Sequence, residues 1–217
     1  MVALYEEAEK FLGKQSEQWS ILIQRIGPCC LKVSNELLPH QSIIKSVFFQ
    51  QLHPTAAAAI YQRFLDLFNN VFPTEQDIIK NKNLLSSTGL SKQKKETILS
   101  ITDGYLKQSI PSEKKIKLLH DQEIIEQYIQ IKGVGVWTVQ MMLIFNQGRL
   151  DVMPTSDLAI RKKYSLLMQK ACQITPTQLI KETEYLSPYR TIAAWYLWQM
   201  KLTFYFLLFF FTESGLV

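Results

Sequence analysis

The sequence predicts an all-α fold, and three observations carry that reading. Apolar residues recur at helical spacing along most of the chain, and no alternating apolar–polar stretch of useful strand length occurs. The breaks between periodic segments carry helix-boundary residues, such as Pro54 after Gln51-Leu52-His53 and the run Asn146-Gln147-Gly148. No repeat of fixed period is present. With 217 residues, 47% hydrophobic and 20% charged, the chain can bury a core as one domain or as two small lobes sharing a cleft.

The opening MVALYEEAEKFL is acidic and helical in spacing, without the basic n-region of a secretory leader. Residues 42–51 and 55–68 read as two helices, with Pro54 suited to the first turn of the second, where its missing N–H is no loss. Helices over 74–85, 92–106 and 121–131 follow, and Ile124, Ile125, Tyr128 and Ile129 share one face of the last. A helix over 136–145 stops at Asn146-Gln147-Gly148, a C-cap. Pro154 precedes a helix over 156–168, and helices over 177–186 and 189–200 complete the set. The end of the chain, LTFYFLLFFF from Leu202 to Phe211, is nearly unbroken apolar sequence. A bilayer span needs about 20 apolar residues. Counting back to Ile192 reaches that length only by taking in Gln199 and Lys201, so a buried or aggregation-prone tail is favoured over an anchor.

Lys and Arg outnumber Asp and Glu by 24 to 19, a net charge of +5 that suits a polyanionic partner without requiring one. Cys29, Cys30 and Cys172 contain no C-x-x-C and cannot supply four thiolates. With no disulfide framework in view, they fit a reduced intracellular setting.

The stretch IKGVGVWTVQMMLIF, Ile131 to Phe145, sets Gly133 and Gly135 one residue apart between apolar runs. A glycine inside a helix costs about 1 kcal/mol relative to alanine, so the pair marks a tight turn and not a continuous rod. The turn stands directly before a new helix, whose first amides lack internal partners and carry partial positive charge. The amides of 133–137, with the Thr138 hydroxyl, are therefore expected to form a seat for a phosphate. The plainer alternative is a helical hairpin that simply needs a glycine turn.

Several separated motifs, in order, resemble the helix-hairpin-helix DNA glycosylases, specifically the 3-methyladenine DNA glycosylase II branch. They are IIKSVFFQQLHPTAAAAIYQRF (Ile43–Phe64), GLSKQKKETI (Gly89–Ile98), IKGVGVWTVQMMLIFNQGRLDVMPTSDLAIRK (Ile131–Lys162) and SPYRTIAAWYLW (Ser187–Trp198). The resemblance spans roughly residues 40–200. It implies two helical lobes with the hairpin at the cleft between them. One lobe, residues 30–115, would carry a wedge loop; the other, 116–200 with the N-terminal segment, the hairpin and the catalytic acid. Residues 201–217 would be an atypical apolar tail, whose stretch Leu202–Phe211 matches nothing in the family pattern.

The resemblance also implies roles for particular residues. Asp157 matches the family's catalytic aspartate at the start of a helix, whose N-terminus favours the charged carboxylate; an ordinary Asp N-cap is the bland alternative. Asp151, the other nearby acid, matches a structural position at the loop entrance, and Ser156 replaces an acid often found just before the catalytic one. Trp137 stands where the strand-cutting relatives carry a Schiff-base lysine, and Lys132 lies on the wrong side of the hairpin to replace it, so a monofunctional, water-using enzyme is expected. Trp137 and Trp198 match aromatic positions of the base pocket, and Met141 stands where some members have tyrosine. Trp195, Tyr189 and Tyr196 are weaker candidates, with core packing the default for Trp195. The break Gln50-Gln51-Leu52-His53 matches the family's wedge loop, in which Gln51 or Leu52 would fill the gap left by a flipped base, with His53 nearby touching bases or backbone. Gly133, Gly135 and Thr138 would hold DNA backbone, and the hairpin carbonyls of Gly133 and Gly135 a monovalent cation. Lys92, Lys94 and Lys95 suit either phosphate or solvent, and Arg149, Arg161 and Lys162 flank Asp157.

The expected activity is hydrolysis of the N-glycosidic bond of alkylated purines in duplex DNA, the opening step of base-excision repair. No cofactor, obligatory protein partner or membrane is implied, and the protein is expected to act as a monomer on damaged double-stranded DNA, in a bacterial nucleoid or a eukaryotic nucleus. The rival readings are a helix-hairpin-helix DNA-binding protein without catalysis and, from a different class, a membrane-associated helical protein using the aromatic tail. Spacing does not identify which lesion is excised.

Overall fold

The computed structural model describes residues 2–201, and among these the chain is all-helical, as expected. In order the helices are α1 (Val2–Gly13), α2 (Glu17–Ile26), α3 (Pro39–Phe49), α4 (Pro54–Asp66), α5 (Glu75–Lys80), α6 (Lys92–Leu106), α7 (Glu113–Ile116), α8 (Asp121–Tyr128), α9 (Val136–Phe145), α10 (Leu158–Leu167), α11 (Pro176–Glu182) and α12 (Arg190–Gln199). Among the described residues no helix is long and apolar enough to cross a membrane. The apolar stretch Leu202–Phe211 lies outside the described residues.

The chain divides into two compact units. One runs through Lys32 and resumes at Arg149; the other is Val33–Gly148. The first holds α1, α2 and α10 to α12, with α12 packed against α1, α2 and α10. That position explains why α12 is apolar nearly all round: every residue from Thr191 to Leu197 is buried. Helix α2 is absent from the sequence expectations, although its signal is present. The Ser16 hydroxyl caps it by accepting the Trp19 N–H at 3.3 Å. Trp19 and Leu22 then turn into the core, where the Trp19 indole donates to the Tyr185 hydroxyl at 3.1 Å.

In the second unit α3 is central, contacting α4, α6 and α9, so Ile43, Ile44, Val47 and Phe48 are fully buried. Phe48, Phe64 and Phe68 form an aromatic chain, with ring centres 5.0 and 5.5 Å apart. Because α9 packs on α3, the hairpin belongs to the same unit as the loop at 50–53. The boundary between units therefore falls after Gly148 and not near residue 115.

Two long expected helices are broken. The segment 74–85 stops at Lys80, where Asn81 turns its side chain back to the Asp77 carbonyl at 2.9 Å, and a short 3-10 turn Leu84–Thr88 follows. The segment 177–186 stops at Glu182, where the buried Thr183 hydroxyl donates to the Leu179 carbonyl at 2.7 Å. Helix α9 ends where expected, but its C-cap residue does more than cap. The buried Asn146 amide donates to the Ser34 and Leu37 carbonyls at 3.1 and 2.8 Å, and the Ser34 N–H reaches the Phe145 carbonyl at 2.9 Å. These bonds stitch the incoming strand of chain onto the helix end. Asn146→Ala strands two carbonyls and is expected to lower stability by about 1–3 kcal/mol, read as a lower urea midpoint at unchanged slope.

Candidate functional site

In the first unit the segment ahead of α10 is tied to the start of α12. The Thr191 N–H donates to the Leu150 carbonyl at 2.8 Å, and its buried hydroxyl accepts the Val152 N–H at 2.9 Å while donating to the Arg149 carbonyl at 2.7 Å. Beside it Arg190 grips Asp151 with two parallel bonds, Nε to Oδ1 and Nη2 to Oδ2, both 2.8 Å, and the Ser187 hydroxyl adds a third at 2.9 Å. Partial burial pushes the Asp151 carboxyl up, but the Arg190 guanidinium and the Ser187 hydroxyl outweigh it and hold the group below the usual carboxylate range. Asp151 is thus a structural clamp, in keeping with its position.

A turn closed by the Asp157 N–H on the Pro154 carbonyl, 3.0 Å, then delivers Asp157 as the N-cap of α10. Its Oδ1 accepts the Ala159 and Ile160 amides at 2.8 and 3.0 Å. Its Oδ2 accepts the Trp198 indole N–H at 3.3 Å. The carboxylate is half-buried and not sunk in the core. The cap and an oriented acid are therefore one and the same geometry. Lys163, one helical turn and a half further on, donates from Nζ to the Trp198 carbonyl at 2.8 Å. Burial lowers its pKa, and the nearby Asp157 charge works against that shift. The unit thus brings Asp157 and Trp198 into direct contact. Trp195 is buried, and the Tyr196 hydroxyl is spent on Glu9 and the Gly27 carbonyl, both at 2.9 Å, so both belong to the core.

In the second unit the two hairpin glycines differ. Gly133 has φ 91, and a Cβ there would overlap the Thr97 hydroxyl, which itself reaches the Lys132 carbonyl at 3.1 Å. Gly135 caps α9 at an ordinary φ of −97, and a Cβ there would meet nothing. The amides of Gly133, Gly135 and Val136, all exposed residues, donate no hydrogen bond among the described residues. That of Val134 closes the turn on the Ile131 carbonyl at 3.0 Å and is not part of the expected seat. Thr138 is not part of it either: it is buried, and its hydroxyl accepts the Gln50 side-chain amide at 3.0 Å. Trp137 is 37% exposed on the first turn of α9, whereas Met141 is buried within that helix. The carbonyls assigned to a monovalent cation do not form an open pair. That of Gly133 takes the Gln50 amide at 3.3 Å, and that of Gly135 takes the helix amides of Thr138 and Val139.

The loop Gln51-Leu52-His53 joins α3 to α4, and all three residues are exposed. Gln51 holds a left-handed backbone, φ 53, unusual for a residue with a side chain. His53 caps α4, its Nδ1 accepting the Thr55 N–H at 3.4 Å. Lys94 is half-buried. Its Nζ donates to the Phe48 and Gln50 carbonyls at the end of α3, 2.9 and 2.8 Å, and burial lowers its pKa. Lys95 binds the Ser86 hydroxyl at 2.8 Å, and Arg161 reaches the Ile174 carbonyl at 3.4 Å. Gln50 is read from the sequence only as the start of the wedge break, and Thr97, Lys163, Arg190 and Thr191 are not singled out at all. Each works through a partner distant in sequence, and only the paired polar pattern Arg190-Thr191 opposite Asp151 offers a hint.

Gly133→Ala is expected to lose about 1–3 kcal/mol of stability, because the left-handed backbone and Thr97 both oppose a methyl group. Gly135→Ala should stay within about 0.5 kcal/mol of the parent, and paired denaturant melts read the contrast. For Asp151, a depressed folded-state pKa means the stabilisation is complete above the unfolded value of about 3.9 and is lost as pH falls through the folded value. Asp151→Asn should therefore lower the melting temperature at neutral pH and flatten its fall in acid.

No family model matches the chain. It is 35% identical over 199 residues to the alkylbase DNA glycosidase-like protein mag2 of Schizosaccharomyces pombe, covering 90% of this chain and 93% of that one. It is 37% identical over 202 residues to DNA-3-methyladenine glycosylase 1 of the same yeast, covering 92% and 89%. Among solved structures, the S. pombe 3-methyladenine DNA glycosylase in complex with abasic DNA matches at a TM-score of 0.79 and 36% identity, over 89% of this chain and 95% of that one. DNA-3-methyladenine glycosidase from Bacillus halodurans matches at 0.81 and 27% identity, over 91% and 90%. With sequence relatives this close over nearly the whole length, and the same helical fold, the chain belongs to the 3-methyladenine DNA glycosylases of the helix-hairpin-helix superfamily.

Proposed function

We propose that the protein is a monofunctional DNA glycosylase, hydrolysing the N-glycosidic bond of alkylated purines of the 3-methyladenine type in duplex DNA. It opens base-excision repair as a monomer acting on damaged DNA in the cell. The observation that carries this reading is the Asp157 carboxylate, oriented by two helix amides on one oxygen and the Trp198 indole on the other.

An alkylated purine is already cationic and leaves as a neutral base, so little acid catalysis of its departure is needed. As the C1′–N bond lengthens, positive charge builds on the deoxyribose. A fixed carboxylate facing that sugar stabilises the charge and orients the water that adds to C1′. The target base must first leave the stack. Trp198 in the first unit, and Trp137 on α9 in the second, each suit an electron-poor ring, as the family motifs imply, with Met141 buried on α9. Leu52 and Gln51, exposed at the loop tip, suit the space the base vacates, with His53 beside them. The amides of Gly133, Gly135 and Val136 suit a phosphate, and the bare side of Gly135 lets backbone approach closely. Trp137 has no amine, so no Schiff base forms and the strand is left intact.

Incubation with methylated duplex DNA, followed by mass spectrometry of released bases, should yield alkylpurines; a wild-type protein releasing none favours the DNA-binding reading without catalysis. Asp157→Asn keeps a competent N-cap and should keep the fold. Base release should fall by about a hundredfold or more while binding to abasic duplex persists. Borohydride reduction during turnover should trap no protein–DNA adduct, and a trapped adduct would contradict the monofunctional reading.

A further inference from the structure

We infer that Gln50 is a positioning residue that ties the wedge loop to the hairpin. This rests on reading residues 51–53 as the wedge. Gln50 is the last residue before the loop tip, and its half-buried side chain leaves the loop altogether. Its Nε2 donates to the Thr138 hydroxyl at 3.0 Å and to the Gly133 carbonyl at 3.3 Å, the first inside α9 and the second within the glycine turn. One amide therefore grips the glycine turn and the helix that follows it. On the other side Lys94 holds the main chain of the same residue, donating to the Gln50 carbonyl at 2.8 Å and to that of Phe48 at 2.9 Å. The loop tip begins directly after this doubly held residue, with Gln51 in its left-handed conformation.

The hydrogen bonds that link loop and hairpin both come from the Gln50 amide. A small pocket lies between the two, lined by Gln50, Gln51, Lys94, Thr97 and Gly133 among others. The Thr138 hydroxyl is buried, and without Gln50 it loses a donor that no nearby solvent replaces at full value. The consequence is a fixed spacing between the residue that enters the stack and the amides that hold a phosphate. Phosphate bound at the hairpin then presents Leu52 at a set place along the duplex.

Binding of a duplex holding a tetrahydrofuran abasic analogue, with 2-aminopurine beside it, tests this without requiring base release. In Gln50→Ala the preference for the abasic duplex over intact duplex should fall about tenfold, and the 2-aminopurine signal of wedge entry should weaken with it, while affinity for intact duplex stays within about twofold. Thr138→Val should reproduce the loss and Thr138→Ser should restore it; this pair decides the matter even if Gln50→Ala fails to fold. A merely structural role predicts a lower melting temperature with preference and fluorescence unchanged, and that result overturns the inference. A wild-type protein that prefers abasic duplex but releases no base leaves the inference standing and removes the glycosylase reading. A wild-type protein with no preference for abasic duplex overturns the wedge reading and the inference together.

Discussion

Two amides of α10 and the indole of α12 converge on the Asp157 carboxylate, and the arrangement of the first unit follows from that meeting. A helix needs acceptors for its first amides, and a carboxylate placed there is held in direction as well as place. Helix α12 fixes it at both ends. Its first turn holds the approaching loop through Arg190 and Thr191, and its last turn carries Trp198, whose carbonyl is gripped by Lys163. Rigid support of this kind is what a charge-stabilising acid requires, because a group that must reorient as charge develops gives up most of its effect. Capping a helix and holding a carboxylate in one direction make the same geometric demand at this position.

The second unit shows how neighbouring glycines answer to different constraints. Gly133 is demanded from within, by a backbone angle and by Thr97. Nothing inside the unit demands Gly135, whose outer side is open. Lysine 94 makes a parallel point about charge. Its ammonium serves the carbonyls of Phe48 and Gln50, two residues apart at a helix end, and is half-buried in doing so, which is why a basic run in sequence is not by itself a phosphate surface.

How far the sequence alone reaches depends on whether a feature is local. Helices α6 and α9 match their expected spans, because each has a clear cap and a continuous apolar pattern. Helix α5 is shorter than its pattern suggests, because the Asn81 side chain competes for a helix carbonyl and apolar spacing carries no trace of that. Asp157 was readable as a cap from its place before an apolar run, and as a catalytic candidate only through the family motifs around it. Its contact with Trp198 joins residues 41 positions apart, and Gln50 meets Thr138 across 88. Hydroxyls are the least legible of all. Thr138 reads from the sequence as a phosphate contact and Thr191 carries no signal, yet both are buried and both organise a loop.

The left-handed backbone at Gln51 has a bearing on divergence. A β-branched side chain there would crowd its own main chain by about 1–3 kcal/mol, whereas glycine or asparagine would sit at ease. Descendant lineages that alter this tip are thus channelled toward a short menu of residues, and a valine or isoleucine arriving by drift would select against itself before any nucleic acid was met.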